Sequence, residues 1–394
     1  MRTNVASVRN QVTDMIFVAP DLTEAELGVL ERIEELKSRL RHQLHEPRRW
    51  AGSLRRLSLA RAIQGSNSIE GYDAALDDAV DVAAGEEPLE VNQETRLALR
   101  GYRDAMTYVL QLAEEDHFVC SDQLLKALHF MMTSYALKNR PGRWRAGSIY
   151  VRDEERGHVV HEGPSIDVVP GLIAELVENL NANSGESLII KASMAHLNLV
   201  MIHPFRDGNG RMSRCLQSLV LARGGLVSPV FMSIEEYLGR NTQSYYQVLR
   251  EVGGGAWQPD RDARPWIRYT LTAHLRQART IVRRINESER IWSELETLVA
   301  ARRLPERTIM ALFDATLGLR VRNGTYRSYF EDSLEEITEA TATRDLRRLV
   351  EADLLVSRGE KRARYYVALP ALRQIRENVT AMRDRRDDSD PFEG

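Results

Sequence analysis

The amino-acid sequence predicts a mainly α protein, a helical domain with one β-hairpin followed by a smaller unit of helices and a second hairpin. Three observations predict it. Apolar residues recur at the i, i+3, i+4 spacing of amphipathic helices through most of the chain. Only residues 149–160 and 354–367 carry β-rich runs about turn residues. The length of 394 residues, 43% hydrophobic and 28% charged, suits two or three soluble globular domains.

Taken in order, residues 22–44 read as a helix with Asp21 as N-cap and Leu27, Leu30, Ile33, Leu36 and Leu40 on one side. Residues 54–69 form a second, weakened at Gly65 and closed by Gly71. Ser66 and Glu70, four apart, share a face there. An anion at a helix C-terminus opposes the dipole, so Glu70 needs a cation to meet it. Residues 77–92 give a short helix and a loop broken at Pro88. Residues 94–113 and 121–135 are helical, the latter capped by Ser121. A turn at Arg140-Pro141-Gly142 precedes a hairpin of residues 149–151 and 159–160 about a turn at 153–157. Residues 169–180 and 187–202 are again helical.

The next stretch carries the chemistry: His203-Pro204-Phe205-Arg206-Asp207-Gly208-Asn209-Gly210-Arg211-Met212-Ser213-Arg214. Pro204 disfavours helical geometry at His203, so the helix ends there and the imidazole stands on a loop. Met212, Cys215, Leu216, Leu219 and Val220 mark a new helix from Asn209, whose free N–H groups point back at that loop. Gly208 and Gly210 let backbone approach an anion, and a helix N-terminus attracts phosphate. Arg211 and Arg214 lie off the apolar stripe, within reach of further phosphates. Asp207 is placed to hold a hard cation such as Mg²⁺.

Net charge is -3, which advertises neither nucleic-acid nor membrane binding by the chain as a whole. The cysteines, Cys120 and Cys215, read as reduced core thiols of a cytoplasmic protein. No signal-peptide core and no membrane-spanning apolar run is present.

Beyond the loop, residues 230–238 and 241–252 read as helices separated near Gly239, the second carrying Asn241, Tyr245 and Tyr246. Residues 265–301 make one or two long helices. Residues 304–317 and 326–337 are helical, and 341–350 form a helix capped by Thr341 that projects Arg344, Arg347 and Arg348. Residues 354–356 and 363–367 form a hairpin bearing Lys361, Arg362 and Arg364. The charged stretch 383–394 reads as a disordered tail.

The His203–Arg214 run resembles the signature of the Fic family, His-x-Phe-x-Asp/Glu-Gly-Asn-Gly-Arg-x-x-Arg, at every defined position. The resemblance implies a protein adenylyltransferase that moves AMP from ATP to a Tyr, Ser or Thr hydroxyl of a target protein. It makes His203 the general base, Phe205 a loop anchor and Asp207 the Mg²⁺ ligand. Gly208, Asn209 and Gly210 become the anion hole, and Arg211 and Arg214 the β- and γ-phosphate clamp. Ser66 and Glu70 match the Ser/Thr-x-x-x-Glu-Gly/Asn pattern of an inhibitory helix whose glutamate pairs with the last signature arginine, here Arg214. The first hairpin matches the family's target-binding flap, and Asn241 and Tyr245 its adenine pocket. The C-terminal pattern resembles a winged helix-turn-helix, with Arg344, Arg347 and Arg348 as DNA contacts.

This divides the chain into an N-terminal helical region (1–92), a Fic domain (93–285), a winged helix (286–370) and a terminal helix end and tail (371–394). Removal of AMP, with Glu70 positioning a water, and a DNA-binding regulator that senses nucleotide both stay open. So does assembly, although homodimers are common in the family.

Overall fold

The computed structural model describes residues 16–45, 48–152, 159–183, 185–224, 231, 233–331, 336–383, 387 and 389–393. Helices dominate, and the strands form two separate antiparallel hairpins. The N-terminal half contains α1 (Glu24–His45), α2 (Ala51–Ser68), α3 (Leu76–Ala83), α4 (Gln93–Leu112) and α5 (Asp122–Thr133). Then come the hairpin β1 (Tyr150–Arg152) and β2 (Val159–Glu162), followed by α6 (Val169–Asn181), α7 (Leu188–Ile202) and α8 (Asn209–Ala222). Next are α9 (Glu235–Arg240), α10 (Thr242–Gly253) and the long α11 (Arg264–Ala301). The C-terminal unit comprises α12 (Ile309–Thr316), α13 (Asn323–Ser328), α14 (Glu339–Glu351), β3 (Leu355–Arg358), β4 (Tyr365–Ala368) and α15 (Pro370–Ala381).

Capping chemistry sets several of these ends. Ser121 accepts the Leu124 N–H at 3.2 Å, as expected from its place before α5. Asp21 does not cap α1. Thr23 and Glu26 form a reciprocal capping box there: the Thr23 N–H donates to Glu26 at 2.8 Å and the Glu26 N–H to the Thr23 hydroxyl at 3.4 Å. Likewise Thr338, not Thr341, caps α14, accepting the Thr341 N–H at 3.2 Å. The helix expected over 326–337 is the earlier and shorter α13, and that expected over 230–238 starts only at Glu235. The break before α10 falls at Asn241 rather than Gly239. The turn expected at 153–157 lies outside the described residues.

Two hydrophobic cores share the molecule. The first packs α4–α8, α10 and the first half of α11, and α7 against α8 is its centre. Phe17 is threaded into it, its N–H donating to the Asn198 side chain at 2.8 Å and its carbonyl accepting from the same amide at 2.9 Å. The second core gathers the rest of α11 with α12–α15 and β3–β4, and it also takes Leu40, Trp50 and Leu54 from the N-terminal helices. Both cysteines are buried and unpaired.

Gly65 is the crossing point of α2 and α9. A Cβ at Gly65 would collide with the Glu235 carbonyl, and one at Gly239 would lie 2.6 Å from the Gly65 Cα. The described tail residues fold back rather than standing free. The Pro391 carbonyl accepts from Arg32 at 2.7 Å, and Arg268 stands 5.1 Å from the Phe392 ring centroid. The composition of the tail suggested solvation, but this aromatic and its arginine neighbours outweigh it.

Candidate active site

His203 ends α7 in a left-handed conformation, φ 51°, with its N–H on the Leu199 carbonyl at 3.1 Å. Its Nδ1 lies 3.0 Å from the Val200 carbonyl oxygen. A carbonyl only accepts, so the ring proton sits on Nδ1 and Nε2 keeps its lone pair. Burial pushes the imidazole pKa down to about 4, so the ring is neutral near pH 7.

The loop after it is rigidly built. Phe205 is fully buried and stacks on His129 with centroids 3.8 Å apart and 7° between planes. The Gly142 N–H donates to His129 Nδ1 at 2.9 Å, which leaves His129 Nε2–H to donate to the Asp207 carbonyl at 3.0 Å. Asn209 closes the loop on itself: its amide donates to the Phe205 carbonyl and accepts the Phe205 N–H, both at 2.9 Å. Both polar ends of Asn209 thus serve the loop, so anion contacts there fall to backbone amides. Gly208, φ 76°, makes the turn into α8 that a side chain would strain. Asp207 accepts the Gly208 N–H at 2.7 Å on one oxygen and the Asn139 amide at 2.7 Å on the other.

Arg145 ties this loop to the hairpin. It donates to the His203 carbonyl at 3.0 Å and the Gly147 carbonyl at 2.7 Å, and also to the Pro164 carbonyl. His161 on β2 donates from Nε2 to the Met201 carbonyl at 2.8 Å, seating the hairpin on the end of α7. Tyr150 and Val159 remain exposed on it.

Above the start of α8 lies Glu70. Arg214 is buried and donates to the Ser66 hydroxyl at 2.8 Å, the Ser66 carbonyl at 2.9 Å and Glu70 Oε1 at 2.7 Å. Burial would raise the Glu70 pKa, but Arg214 and Arg211 outweigh it and hold the carboxyl below its usual range. A Cβ on Gly210 would collide with this carboxylate, so only glycine leaves it room. The carboxylate therefore occupies the helix N-terminus where an anion is most favoured. Arg211, equally buried, donates to the Tyr135 hydroxyl at 3.2 Å, with its guanidinium 5.1 Å from the Tyr72 ring centroid.

His203, Asp207, Gly208, Asn209, Gly210, Arg211, Arg214, Ser66 and Glu70 thus converge. Tyr245 lies behind Arg214 in the core, its hydroxyl 2.9 Å from His196 Nε2 and its pKa pushed up to about 12 by burial. Asn241 sits at the α9–α10 junction, its amide donating to the Tyr237 carbonyl at 2.8 Å. Arg344, Arg347 and Arg348 are exposed on α14, with Arg347 paired to Glu351 at 2.9 Å. Sequence reasoning missed His129, Tyr135, Asn139, Arg145 and Tyr72. Only Tyr72 carried a signal, its place two residues after Glu70.

The chain is similar to known proteins in sequence and in fold. The Fic/DOC family model matches residues 119–221, from just before α5 to the end of α8. The protein adenylyltransferase fic-1 of Caenorhabditis briggsae is 31% identical over 160 residues, 40% of this chain and 28% of that protein. The protein adenylyltransferase Fic of Nematostella vectensis is 27% identical over 213 residues, 53% of this chain and 44% of that protein. The chain therefore spans less than half the length of either relative. A Fic family protein from Desulfovibrio desulfuricans G20 shares the fold with TM-score 0.57 at 23% identity, over 90% of this chain and 99% of that one. A fragment of Fic-1 from Caenorhabditis elegans gives TM-score 0.51 at 22% identity, over 65% of this chain and 72% of that one.

Proposed function

This chain carries a Fic/DOC family domain over residues 119–221, and we propose that it is a protein adenylyltransferase held off by Glu70. The observation that carries the reading is the His203 tautomer: with Nδ1–H spent on Val200, the neutral Nε2 is free to take a proton. A target Tyr, Ser or Thr hydroxyl loses its proton to Nε2, and its oxygen forms a bond to the α-phosphorus of ATP. The bond from that phosphorus to the bridging oxygen breaks, and pyrophosphate leaves. Backbone N–H groups of residues 208–210, with Arg211 and Arg214, bind the β- and γ-phosphates and stabilise the charge on the leaving group. The exposed hairpin edge at Tyr150 and Val159 suits main-chain pairing with a target segment. Asn241 and Tyr245 are the residues proposed for the adenine side.

Asp207 fits a Mg²⁺ ion, a hard cation held by one carboxylate plus substrate phosphates. Among the described residues no group of three or more metal-ligating side chains occurs, so phosphate oxygens and water would complete such a site. Bound there, Mg²⁺ would neutralise charge on the phosphates.

No helix among the described residues is long and apolar enough to cross a membrane. We place the enzyme in the cytoplasm, with ATP and a hydroxyl-bearing protein as partners and a homodimer as its assembly. Duplex DNA is a further partner, because Arg344 and Arg348 stand exposed on α14. Replacing both by Ala should flatten the salt dependence of duplex binding, by a slope of about one per lost phosphate contact.

The test is incubation with ATP labelled at the α-phosphate, followed by mass spectrometry of the protein and of a lysate. An added AMP on a hydroxyl side chain is expected. Release of free AMP from a modified target, with no label gained even by Glu70→Gly, would overturn transfer in favour of removal.

A further inference from the structure

The segment that carries Glu70 is anchored to the C-terminal unit on both sides. On its leading side, Trp50, which caps α2, and Leu54 of α2 are buried in the second core. Arg56 of the same helix donates to Asp314 of α12 at 2.9 Å and stands 4.5 Å from the Tyr329 ring centroid. On its trailing side, α3 presents buried aspartates to two arginines of the C-terminal unit. Arg320 donates to Asp78 at 3.1 Å and to Glu90 at 2.7 Å, and Arg322 donates to Asp81 at 2.7 Å. Between these arginines, Val321 exchanges backbone hydrogen bonds of 2.9 and 2.8 Å with Tyr366 of β4. Leu319 packs with Leu57, Ala60, Ala79 and Val80, closing α2, α3 and the C-terminal unit around one small apolar cluster.

Buried pairs of this kind are fixed points, because losing one partner strands an uncompensated charge. Between them, residues 66–72 cross the signature loop and cover both of its arginines: Glu70 meets Arg214, and the Tyr72 ring lies over Arg211. We propose that the C-terminal unit governs the inhibition. Its grip on α3 through Arg320 and Arg322 holds residues 66–72 down, and loosening that grip uncovers Arg211 and Arg214 together. The proposal rests on the transferase reading for its activity readout alone.

The test uses the full chain with Arg320→Ala and Arg322→Ala together. Amide hydrogen exchange in residues 66–72 should quicken at least roughly fivefold, and self-labelling from α-labelled ATP should rise by a similar factor. Amides of β3 and β4 should stay protected, and the double variant combined with Glu70→Gly should label no faster than Glu70→Gly alone. Faster exchange in α3 with residues 66–72 protected as in the wild type would overturn the proposal. If the double variant does not fold, Arg322→Gln removes one charge and keeps most of the stem, with the same two outcomes. If Glu70→Gly alone gains no label, the transferase reading fails, and exchange at residues 66–72 still decides the coupling.

Discussion

Arg214 and Glu70 form an unequal pair: at 2.7 Å apart, the arginine side chain is 1% exposed and the carboxylate side chain 23%. Glu70 can move into water, whereas Arg214 is fixed by its bonds to Ser66. Opening the site is therefore a movement of Glu70. A triphosphate that enters beside the paired arginine would sit displaced from in-line geometry, and a misplacement of about 1 Å can lower a rate by around a hundredfold. Glu70→Gly should accordingly raise self-labelling by up to about that factor with little change in fold. Arg214→Ala should not mimic it, because it frees the helix and removes the phosphate clamp as well. The double variant should be as inactive as Arg214→Ala. Wild-type labelling by Glu70→Gly under saturating ATP and Mg²⁺ would reduce Glu70 to a helix terminus.

His203→Ala should slow transfer about 10²–10⁴-fold while leaving ATP binding measurable by calorimetry. The pH profile carries the same information. Burial sets the His203 pKa at about 4, below its ordinary 6.5, so the base form persists well into acid. Labelling should hold as pH falls through 6.5 and decline only nearer 4. A midpoint at or above 6.5 would mean that the ring is not shielded as described.

Behind the loop, His196 contacts Gln217 at 2.6 Å and Tyr245 at 2.9 Å, and Gln217 lies 3.2 Å from His274. Burial depresses both histidines from 6.5 to about 3. Because the folded values lie below the unfolded ones, the unfolded chain binds protons first as pH falls. The stabilisation is complete above 6.5 and drains away as pH drops toward 3, each pKa unit being worth about 1.4 kcal/mol. Thermal unfolding should show Tm falling steadily below pH 6.5, and less steeply in His196→Gln paired with His274→Gln. An unchanged slope in that variant would assign the acid sensitivity to other groups.

Gly65→Ala tests the crossing of α2 and α9. In an exposed helix this change would favour folding by about 1 kcal/mol. Here the new methyl meets the Glu235 carbonyl, and overpacking against backbone opposes folding by about 1–3 kcal/mol. A lower Tm and a rise in self-labelling are expected, since α2 leads directly to Glu70. A higher Tm would show that the two helices can separate freely.

The His203–Arg214 stretch was legible because its chemistry is contiguous and its two flanking helices are strongly patterned. Glu70 was legible for a different reason, an anion placed against a helix dipole, and Ser66 through its match to the family's inhibitory-helix pattern. Arg145, His129, Tyr135 and Asn139 were not, since each acts through loop atoms that only tertiary folding brings near. Gly65 read as a weak point of a helix, because a sequence cannot display the second helix that crosses there. The Thr23-x-x-Glu26 box and the Thr338 cap are local in sequence, but Asp21 and Thr341 offer competing capping side chains in the same stretches. Phe392 was hidden by the charges around it, and its partner Arg268 lies on a distant helix.

The single helix α11 runs for 38 residues, about 57 Å, and buries side chains from Trp266 to Val299. The boundary read between residues 285 and 286 falls inside it and past the change of core, since Leu275 serves the first core while Ile281, Val282 and Ile285 already serve the second. Cooperativity follows from that continuity. Melting either core frays the axle of the other, so heating should produce one joint transition rather than two. A chain ended after residue 285 would leave Leu40, Trp50 and Leu54 facing water, and would be driven to aggregate rather than to stand as a smaller enzyme.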